Sequence, residues 1–164
     1  LVGSEMCIRD SAKWHAHSVK NKKGVALERI DPDAATQDAA NWTSASETVG
    51  YGTPGYQNSQ YKDASSGGAT GIEPPVWIEE SGSYTVSYLL DRPGYSCRAF
   101  VFNTSGLRVA DISNHELLGI SGKITWSGVA NNGSPLQTGV YIFYAEIYHP
   151  EGTVKRFKKA FLIR

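Results

Sequence analysis

The stretch from residue 72 to residue 164 consists of short runs in which apolar and polar side chains alternate, with turn-forming residues between the runs. In one run the apolar residues stand two apart, at Tyr84, Val86, Tyr88 and Leu90, and the turn sequence RPG follows. Side chains two residues apart share one face of a β-strand, so each run predicts a strand with a buried face. This pattern restricts the stretch to strands packed on strands.

Further runs predict strands at 97–102, 107–112, 123–126, 140–148 and 153–163, with a loop at 115–119. Residues 140–148 are apolar on both faces, so we place that strand in the middle of a sheet. About seven strands in roughly ninety residues fit an immunoglobulin-like antiparallel β-sandwich. The residues predicted to help fill the core are Tyr141, Phe143, Ala145 and Ile147, together with Trp126, Phe100 and Phe102.

The residues before position 72 lack this regular alternation. A short strand is predicted at 25–30, and Pro and Gly then punctuate the backbone up to residue 61. We interpret 12–61 as an incomplete segment of strand and loop, the truncated end of another module. Residues 62–71, KDASSGGATG, have the composition of a flexible linker. The predicted fold class is therefore all-β, with the sandwich at 72–164 preceded by this incomplete segment.

The first eleven residues, LVGSEMCIRDS, resemble a translated sequencing adapter. We predict that residues 1–11 are non-native and exclude them from the argument about the fold. Cys97 is then the one native cysteine, so no intramolecular disulfide is expected. Cys97 lies in an alternating apolar run, which favours a small buried hydrophobic side chain over a nucleophile.

The charges of the chain balance, because 16 Lys and Arg face 16 Asp and Glu. No overall field attracts nucleic acid or acidic lipid. Two basic clusters stand out, at 20–23 and at 155–159. We interpret them as solvated strand ends that protect sheet edges, in preference to a polyanion site.

One glycine motif and one histidine pair carry possible chemistry. Gly50, Gly52 and Gly55 spell G-x-G-x-x-G, but Pro54 lies inside the motif and no helical period follows, so turn glycines are favoured over a nucleotide site. His15 and His17 stand two apart and would share a strand face. No third ligand is evident beside them, and two ligands do not close a zinc site.

Acidic and aromatic residues supply the other candidates. Asp31, Asp33 and Asp38 offer oxygen ligands, yet the EF-hand glycine is missing and turn or cap roles are favoured. The nucleophile elbow G-x-S-x-G is absent, and nothing orders Ser, His and Asp into a triad. Trp42, Trp77 and Trp126 could in principle form an aromatic platform for sugars, but single tryptophans more often pack, and Trp126 is assigned to the core. We therefore predict no catalytic, cofactor-binding or metal-binding residue.

Two parts of the chain resemble known families. The segment GVALERIDPDAATQDAANWTSASETVGYGTPGYQNSQY, residues 24–61, resembles the closing segment of bacterial lamin-tail domains. The order YTVSYLLDRPGYSCRAFVFNTSGLRV, LLGISGKITWSGVANNG, TGVYIFYAEIY and FKKAFLI resembles the immunoglobulin-like domain of flagellar hook-capping proteins and of type IX secretion carboxyl-terminal domains. This chain departs from the family at Ser127, where an acidic residue is common, and at the entry IEPPVWIEESGS, where relatives have a potential calcium-binding segment.

The resemblance implies a non-catalytic carboxyl-terminal part of a secreted or cell-surface bacterial protein, serving as a structural, docking or secretion-sorting module. It implies protein partners and an extracellular or outer-membrane-associated location, with no enzyme activity, cofactor, nucleotide or nucleic acid, and no integral membrane segment in this fragment. One alternative is a carbohydrate- or matrix-binding module, which needs exposed coplanar aromatics such as Tyr95, Trp77 and Tyr148. Another is the tail of a secreted hydrolase whose catalytic domain precedes the fragment.

Overall fold

The structure, a computed structural model, describes residues 13–62 and 70–164. The predicted adapter at 1–11 and residues 63–69 of the predicted linker therefore lie outside the described residues. Within the described part, helical geometry is confined to two 3₁₀ turns, Ala39–Asn41 and Glu47–Val49. The strands are β1 Leu27–Arg29, β2 Trp42–Ser44, β3 Gly71–Ile72, β4 Val76–Ile78, β5 Ser83–Leu89, β6 Ser96–Phe102, β7 Arg108–Leu117, β8 Ser121–Trp126, β9 Gly139–Tyr148 and β10 Val154–Ile163. The prediction of an all-β protein is confirmed.

Strands β3 to β10 form two antiparallel sheets. One sheet has four strands in the order β10-β9-β6-β7. In the other, β5 is central, β8 pairs with it on one side, and β3 and β4 pair with its two ends on the other side. The chain passes from one sheet to the other between the consecutive strands β5 and β6, as it does in an immunoglobulin-like sandwich.

The core lies between the two sheets and follows the predicted alternation. Strand β5 contributes alternate side chains from Tyr84 to Tyr88, and Leu90 follows directly after the strand. Strand β9, which is central as predicted, contributes Phe143, Ala145 and Ile147. Trp126 is buried as predicted, and its indole N–H donates to the carbonyl of Val129 at 3.1 Å. Tyr141 packs against this core from its margin.

The predicted core role of Phe100 and Phe102 fails because both belong to the other face of β6. The inward residues of β6 are Cys97, Ala99 and Val101, so the two phenylalanines point away from the core. Phe102 is only half-buried. Phe100 is buried, but by guanidinium groups on the outer side of the sheet, as described below.

Strand β7 is longer than predicted, and the loop predicted at 115–119 is wrong for its first three residues. The strand continues to Leu117, although His115 adopts a left-handed backbone with φ of 65°. Three register shifts interrupt the pairing of β7 with β6. Each bulge breaks the period of two, which is the signal from which a strand is predicted.

The amino-terminal segment, residues 13–62, forms a small ladder and packs against the sandwich. Strand β1 is shorter than the predicted 25–30 and pairs antiparallel with β2. The β1 residue Glu28 is buried, and its carboxylate accepts hydrogen bonds from the hydroxyls of Thr53 and Ser59 and from the backbone N–H of Gln60. A buried carboxylate satisfied by three donors fixes the loop around the strand.

This segment covers one side of the sandwich, the opening between the edge strands β7 and β8. The amide of Ile120 donates to the carbonyl of Ser59 at 2.9 Å, and Nε2 of the fully buried Gln60 donates to the carbonyl of Leu118 at 3.1 Å. The hydroxyls of Thr48 and Tyr88 lie 3.1 Å apart. Polar groups of the segment thus satisfy backbone groups at this edge of the sandwich.

Candidate functional site: an apolar outer face

The outer faces of the two sheets differ in where their exposed apolar residues lie. On the sheet of β3, β4, β5 and β8 the centre of the outer face is polar, with Ser87 opposite Lys123, and the exposed apolar residues Val76, Ile78 and Leu89 lie at its edge and ends. Alternation between an apolar inner face and a polar outer face is normal for an antiparallel sheet with one solvated side. The outer face of the β10-β9-β6-β7 sheet departs further from this rule, because its apolar residues reach the central strands β9 and β6.

Large apolar side chains occupy one end of that outer face, which we call the apolar face. Its residues are Phe102 on β6, Val140, Ile142 and Tyr144 on β9, and Ala160 and Leu162 on β10. Val140 and Leu162 are cross-strand partners and are 53% and 51% exposed. Paired side chains on one sheet face contact one another, so these residues form one continuous surface.

A shallow depression lies within the apolar face. It has a volume of about 300 Å³ and is lined by Phe102, Gly106, Ile142, Tyr144 and Lys158. The rings of Phe102 and Tyr144 meet edge to face, with centroids 6.3 Å apart and planes at 86°. Such ring pairs hold their geometry, which makes the wall of the depression a fixed shape. The depression can accept an apolar side chain.

Cations border the apolar face. The guanidinium carbons of Arg98 and Arg108 lie 5.4 Å and 3.7 Å from the ring centroid of Phe100 and cover that ring. Arg108 also forms an ion pair with Asp111, and its hydrogen bonds lower the pKa of the Asp111 carboxyl. Guanidinium groups stacked on aromatic rings are held in place while they keep donors free for another acceptor.

Further along the same face, Arg156 pairs with Glu146, with its Nε 2.8 Å from the carboxylate. Lys158, at the rim of the depression, forms no ion pair with any described residue. The face therefore carries four cations against two carboxylates, Asp111 and Glu146. A ligand with an apolar side chain next to an acidic group matches both the depression and this excess of positive charge.

The glycine motif lies in the amino-terminal segment and has the geometry of turns. Gly50 follows the second 3₁₀ turn with φ of 69°, and Gly55 has φ of 79°. Both values lie in the left-handed region that glycine adopts without strain. Residues 51–58 form turns and irregular backbone, so the motif does not open a helix.

The two histidines of the motif WHAH have different environments. His15 is buried, with Nδ1 3.0 Å from the hydroxyl of Ser44, whereas His17 is exposed. Both line a cleft of about 560 Å³ between the amino-terminal segment and the sandwich loops, where His149 is also found. Within the described residues, no three His, Cys, Asp or Glu side chains are placed to hold a metal ion.

Two of the three aspartates considered as calcium ligands, Asp31 and Asp38, take the turn and cap roles that were predicted. A carboxylate oxygen of Asp31 accepts from the backbone N–H of Asp33 at 2.8 Å. Asp38 caps the first 3₁₀ turn by accepting from the N–H of Ala40 at 2.9 Å. These are the local contacts that make Asp common in turns.

Cys97 has the properties of a structural residue. Its side chain is fully buried in the core, and burial raises the pKa of the thiol to about 12. A thiol with so high a pKa is protonated near neutral pH, and the thiolate is the nucleophilic form. The predicted inert role agrees with this environment.

The aromatic platform required for carbohydrate binding does not form. Tyr95 is fully buried, Trp77 is 39% exposed at the β4 edge, and Tyr148 lies on the outer face of the other sheet. Trp42 donates its indole N–H to the carbonyl of Thr36 and stacks on Trp14 at 5.9 Å. The three aromatics that the carbohydrate alternative needs are therefore scattered.

The sequence contained a signal for the apolar face that our core prediction missed. Residues 140–148 were predicted to be apolar on both faces, and this is what the structure shows. A central strand that is apolar on both faces has a second surface that either the protein or a partner covers. Among the described residues, no element of the chain pairs or packs over Ile142 and Tyr144.

The fold and the site define a class, an immunoglobulin-like all-β sandwich with an apolar outer face. No protein-family model matches the chain, and no curated protein matches it. Among solved structures, the chain is similar to FlgD from P. aeruginosa, with 17% identity and a TM-score of 0.42, over 55% of this chain and 69% of that one.

The chain is also similar to PorZ, described as an essential bacterial surface component of the type-IX secretion system of Porphyromonas gingivalis. The identity is 18% and the TM-score 0.35, over 64% of this chain and 13% of that one. The chain thus matches a small part of PorZ. Our assignment of the fold rests on the strand order.

Along residues 13–62 and 70–164, no helix has the length and apolar character needed to cross a bilayer.

Proposed function

We propose that this chain is a non-catalytic docking module of a secreted or cell-surface bacterial protein, and that the apolar face is the surface that contacts its protein partner. One observation carries the proposal: Val140, Ile142 and Leu162 stand together on one outer face of the sandwich, where Val140 and Leu162 are 53% and 51% exposed and a depression opens beside Ile142. Contiguous exposed apolar surface on a soluble domain marks an interaction site.

The partner chemistry follows from the face itself. Burial of a large apolar side chain contributes about 1.5–3 kcal/mol, so filling the depression beside Phe102 and Ile142 supplies the affinity. Lys158 and the guanidinium groups around Phe100 supply orientation. The matching partner is a protein segment that presents an apolar side chain next to a carboxylate.

The sequence resemblance refines this proposal to a secretion-sorting role. Domains of the type IX carboxyl-terminal kind direct the protein that carries them to the cell surface, and contacts with the secretion machinery are then the function of the docking face. In this proposal the chain catalyses no reaction itself.

A reporter fusion tests this function. The full chain, residues 1–164, is placed after a fluorescent reporter in a bacterium with type IX secretion, and surface reporter is counted on whole cells. Ile142→Glu, on the apolar face, is compared with Ser87→Glu at the polar centre of the other sheet's outer face. Thermal unfolding of the two purified variants establishes that both fold.

The proposal predicts surface reporter for the wild-type fusion and for Ser87→Glu, with a loss of at least tenfold for Ile142→Glu. Equal surface display of the two variants would show that the apolar face is not the docking surface. Display of the wild-type fusion no greater than that of reporter alone would remove the sorting role.

A further inference from the structure

The sandwich has two lateral openings, and the described residues cover one of them. The amino-terminal segment covers the opening between β7 and β8, with Ser59 and Gln60 bonded to backbone groups there. The opposite opening lies between the edge strands β4 and β10. Each of these strands pairs with a single described neighbour, β4 with β5 and β10 with β9.

All three residues of β4 are large, apolar and exposed. Val76 is 54% exposed, Trp77 39% and Ile78 37%. An edge strand normally carries charge or proline to prevent pairing with another chain. Strand β10 follows this rule with its lysines, whereas the three residues of β4 include neither a charge nor a proline.

A groove of about 400 Å³ runs beside β4 within this opening. Val76 and Trp77 form one wall, and Ala160 and Leu162 of β10 form the other. The ring of Trp77 meets the ring of Tyr84 in the core edge to face, with centroids 5.0 Å apart, which holds the indole at the mouth of the groove. A strand added next to β4 would direct alternate side chains into this space.

Acidic residues flank the exposed strand at both ends. Glu73 precedes the two prolines that lead into β4, and Glu79 and Glu80 lie in the turn that follows it. All three are exposed, and none forms an ion pair with a described residue. The β4 edge is thus an apolar strand between negative charges.

We propose that the β4 edge binds an extended peptide by strand addition, and that the peptide carries large apolar residues flanked by Lys or Arg. Main-chain hydrogen bonds to β4 would give affinity, a side chain in the groove beside Trp77 would set the register, and the basic flanks would meet Glu79 and Glu80. The groove shares Ala160 and Leu162 with the margin of the apolar face, but Ile142 and the depression beside it do not line the groove. The proposal does not depend on the function proposed for the apolar face.

A peptide with the sequence of residues 158–164, KKAFLIR, has the required chemistry and serves as the probe. Placed antiparallel with Phe161 opposite Trp77, it sets Lys159 opposite Glu79 and Lys158 opposite Glu80. The matched control peptide carries Lys158→Glu, Lys159→Glu and Arg164→Glu.

Binding of each fluorescently labelled peptide to the full chain is measured by anisotropy. We expect the basic peptide to bind at least tenfold more tightly than the acidic control. In the double variant Glu79→Lys/Glu80→Lys this preference should reverse. Ile142→Glu, on the apolar face, should leave peptide binding unchanged, which separates this proposal from the docking function.

Three results would overturn the proposal. The first is no binding of the basic peptide. The second is binding that Glu79→Lys/Glu80→Lys does not change, as expected if the peptide displaced residues 158–164 of β10 from the protein. The third is a concentration-dependent doubling of mass that Trp77→Arg suppresses, because the edge would then pair with a second copy of the chain.

Discussion

The backbone N–H of Ile120 donates a hydrogen bond to the carbonyl oxygen of Ser59, at 2.9 Å, across the boundary between the amino-terminal segment and the sandwich. Gln60 reinforces the contact, since its amide nitrogen donates to the carbonyls of both Ser44 and Leu118. A fully buried side chain that serves two backbone acceptors is costly to remove. The segment and the sandwich are therefore expected to unfold as one unit.

Gly119 lies next to this contact and has no room for a side chain. A Cβ atom at this position would stand 2.5 Å from the carbonyl oxygen of Ser59. Because the obstacle is backbone, we expect Gly119→Ala to lower the free energy of unfolding by about 1–3 kcal/mol, as overpacking does. Urea denaturation measures this change.

Gly139→Ala is the matched control for Gly119→Ala. Its new Cβ would meet its nearest neighbour, a ring carbon of Tyr141, at an ordinary 3.8 Å. The control should stay within about 1 kcal/mol of wild type. If the two alanine variants were equally stable, the close packing of Ser59 on Gly119 would be refuted.

Asp91, Thr70 and Lys155 join the two sheets at the other end of the sandwich. The Asp91 carboxylate accepts from the Thr70 hydroxyl at 2.6 Å and from Lys155 Nζ at 3.0 Å, and these bonds, the one from Thr70 foremost, lower its pKa. An unfolded Asp has a pKa of about 3.9. The stabilisation of the folded state by the ionised Asp91 carboxylate is therefore complete above about pH 5. It is lost as the pH falls from the unfolded pKa of about 3.9 towards the lower pKa of the folded protein.

We expect Asp91→Asn to cost about 0.5–1 kcal/mol at neutral pH, a small value because the carboxylate is 42% exposed. The difference from wild type should shrink when unfolding is measured near pH 3. Lys155→Met should cost a similar amount, and the double variant should cost less than the sum of the two. A difference that stayed constant between neutral and acid pH would argue against the ion pair.

Cys97 should be chemically silent in the folded protein. Its thiol is buried and its pKa is raised to about 12, first by desolvation and then by the nearby Glu116. In a Cys7→Ser background, where Cys97 is the one remaining thiol, we expect no reaction with Ellman's reagent at about pH 8 until guanidinium is added. Rapid reaction of the native protein would show that the core around β6 opens.

The sequence predicts the sandwich where the alternation is uninterrupted. Strand β10 was predicted to begin at Thr153 and begins at Val154, and β9 is central as its apolar pattern indicated. Strand β7 was cut short because bulges shift its register, and His115 takes a left-handed backbone inside it. Strand β2 was missed because Trp42, Thr43 and Ser44 are too few for a period to be visible.

The candidate site could not be predicted from the alternation of apolar and polar residues alone. Phe102 and Ile142 are residue types that usually lie in a core. The alternation of apolar and polar residues does not show whether the second apolar face of a strand is covered by the rest of the chain. The β4 edge shows the same limit, since Val76, Trp77 and Ile78 form a continuous apolar run. Only the pairing of β4 with one neighbour shows that the run is exposed.

The central claim, that the apolar face contacts a protein partner, is tested most directly by photocross-linking in cells that export the chain. A photoreactive phenylalanine replaces Tyr144 on the apolar face or Ser87 at the polar centre of the other sheet's outer face. The account predicts one discrete adduct from position 144, lost when Ile142→Glu is added, and none from position 87. Adducts of equal yield from both positions, or an adduct from 144 that survives Ile142→Glu, would contradict it.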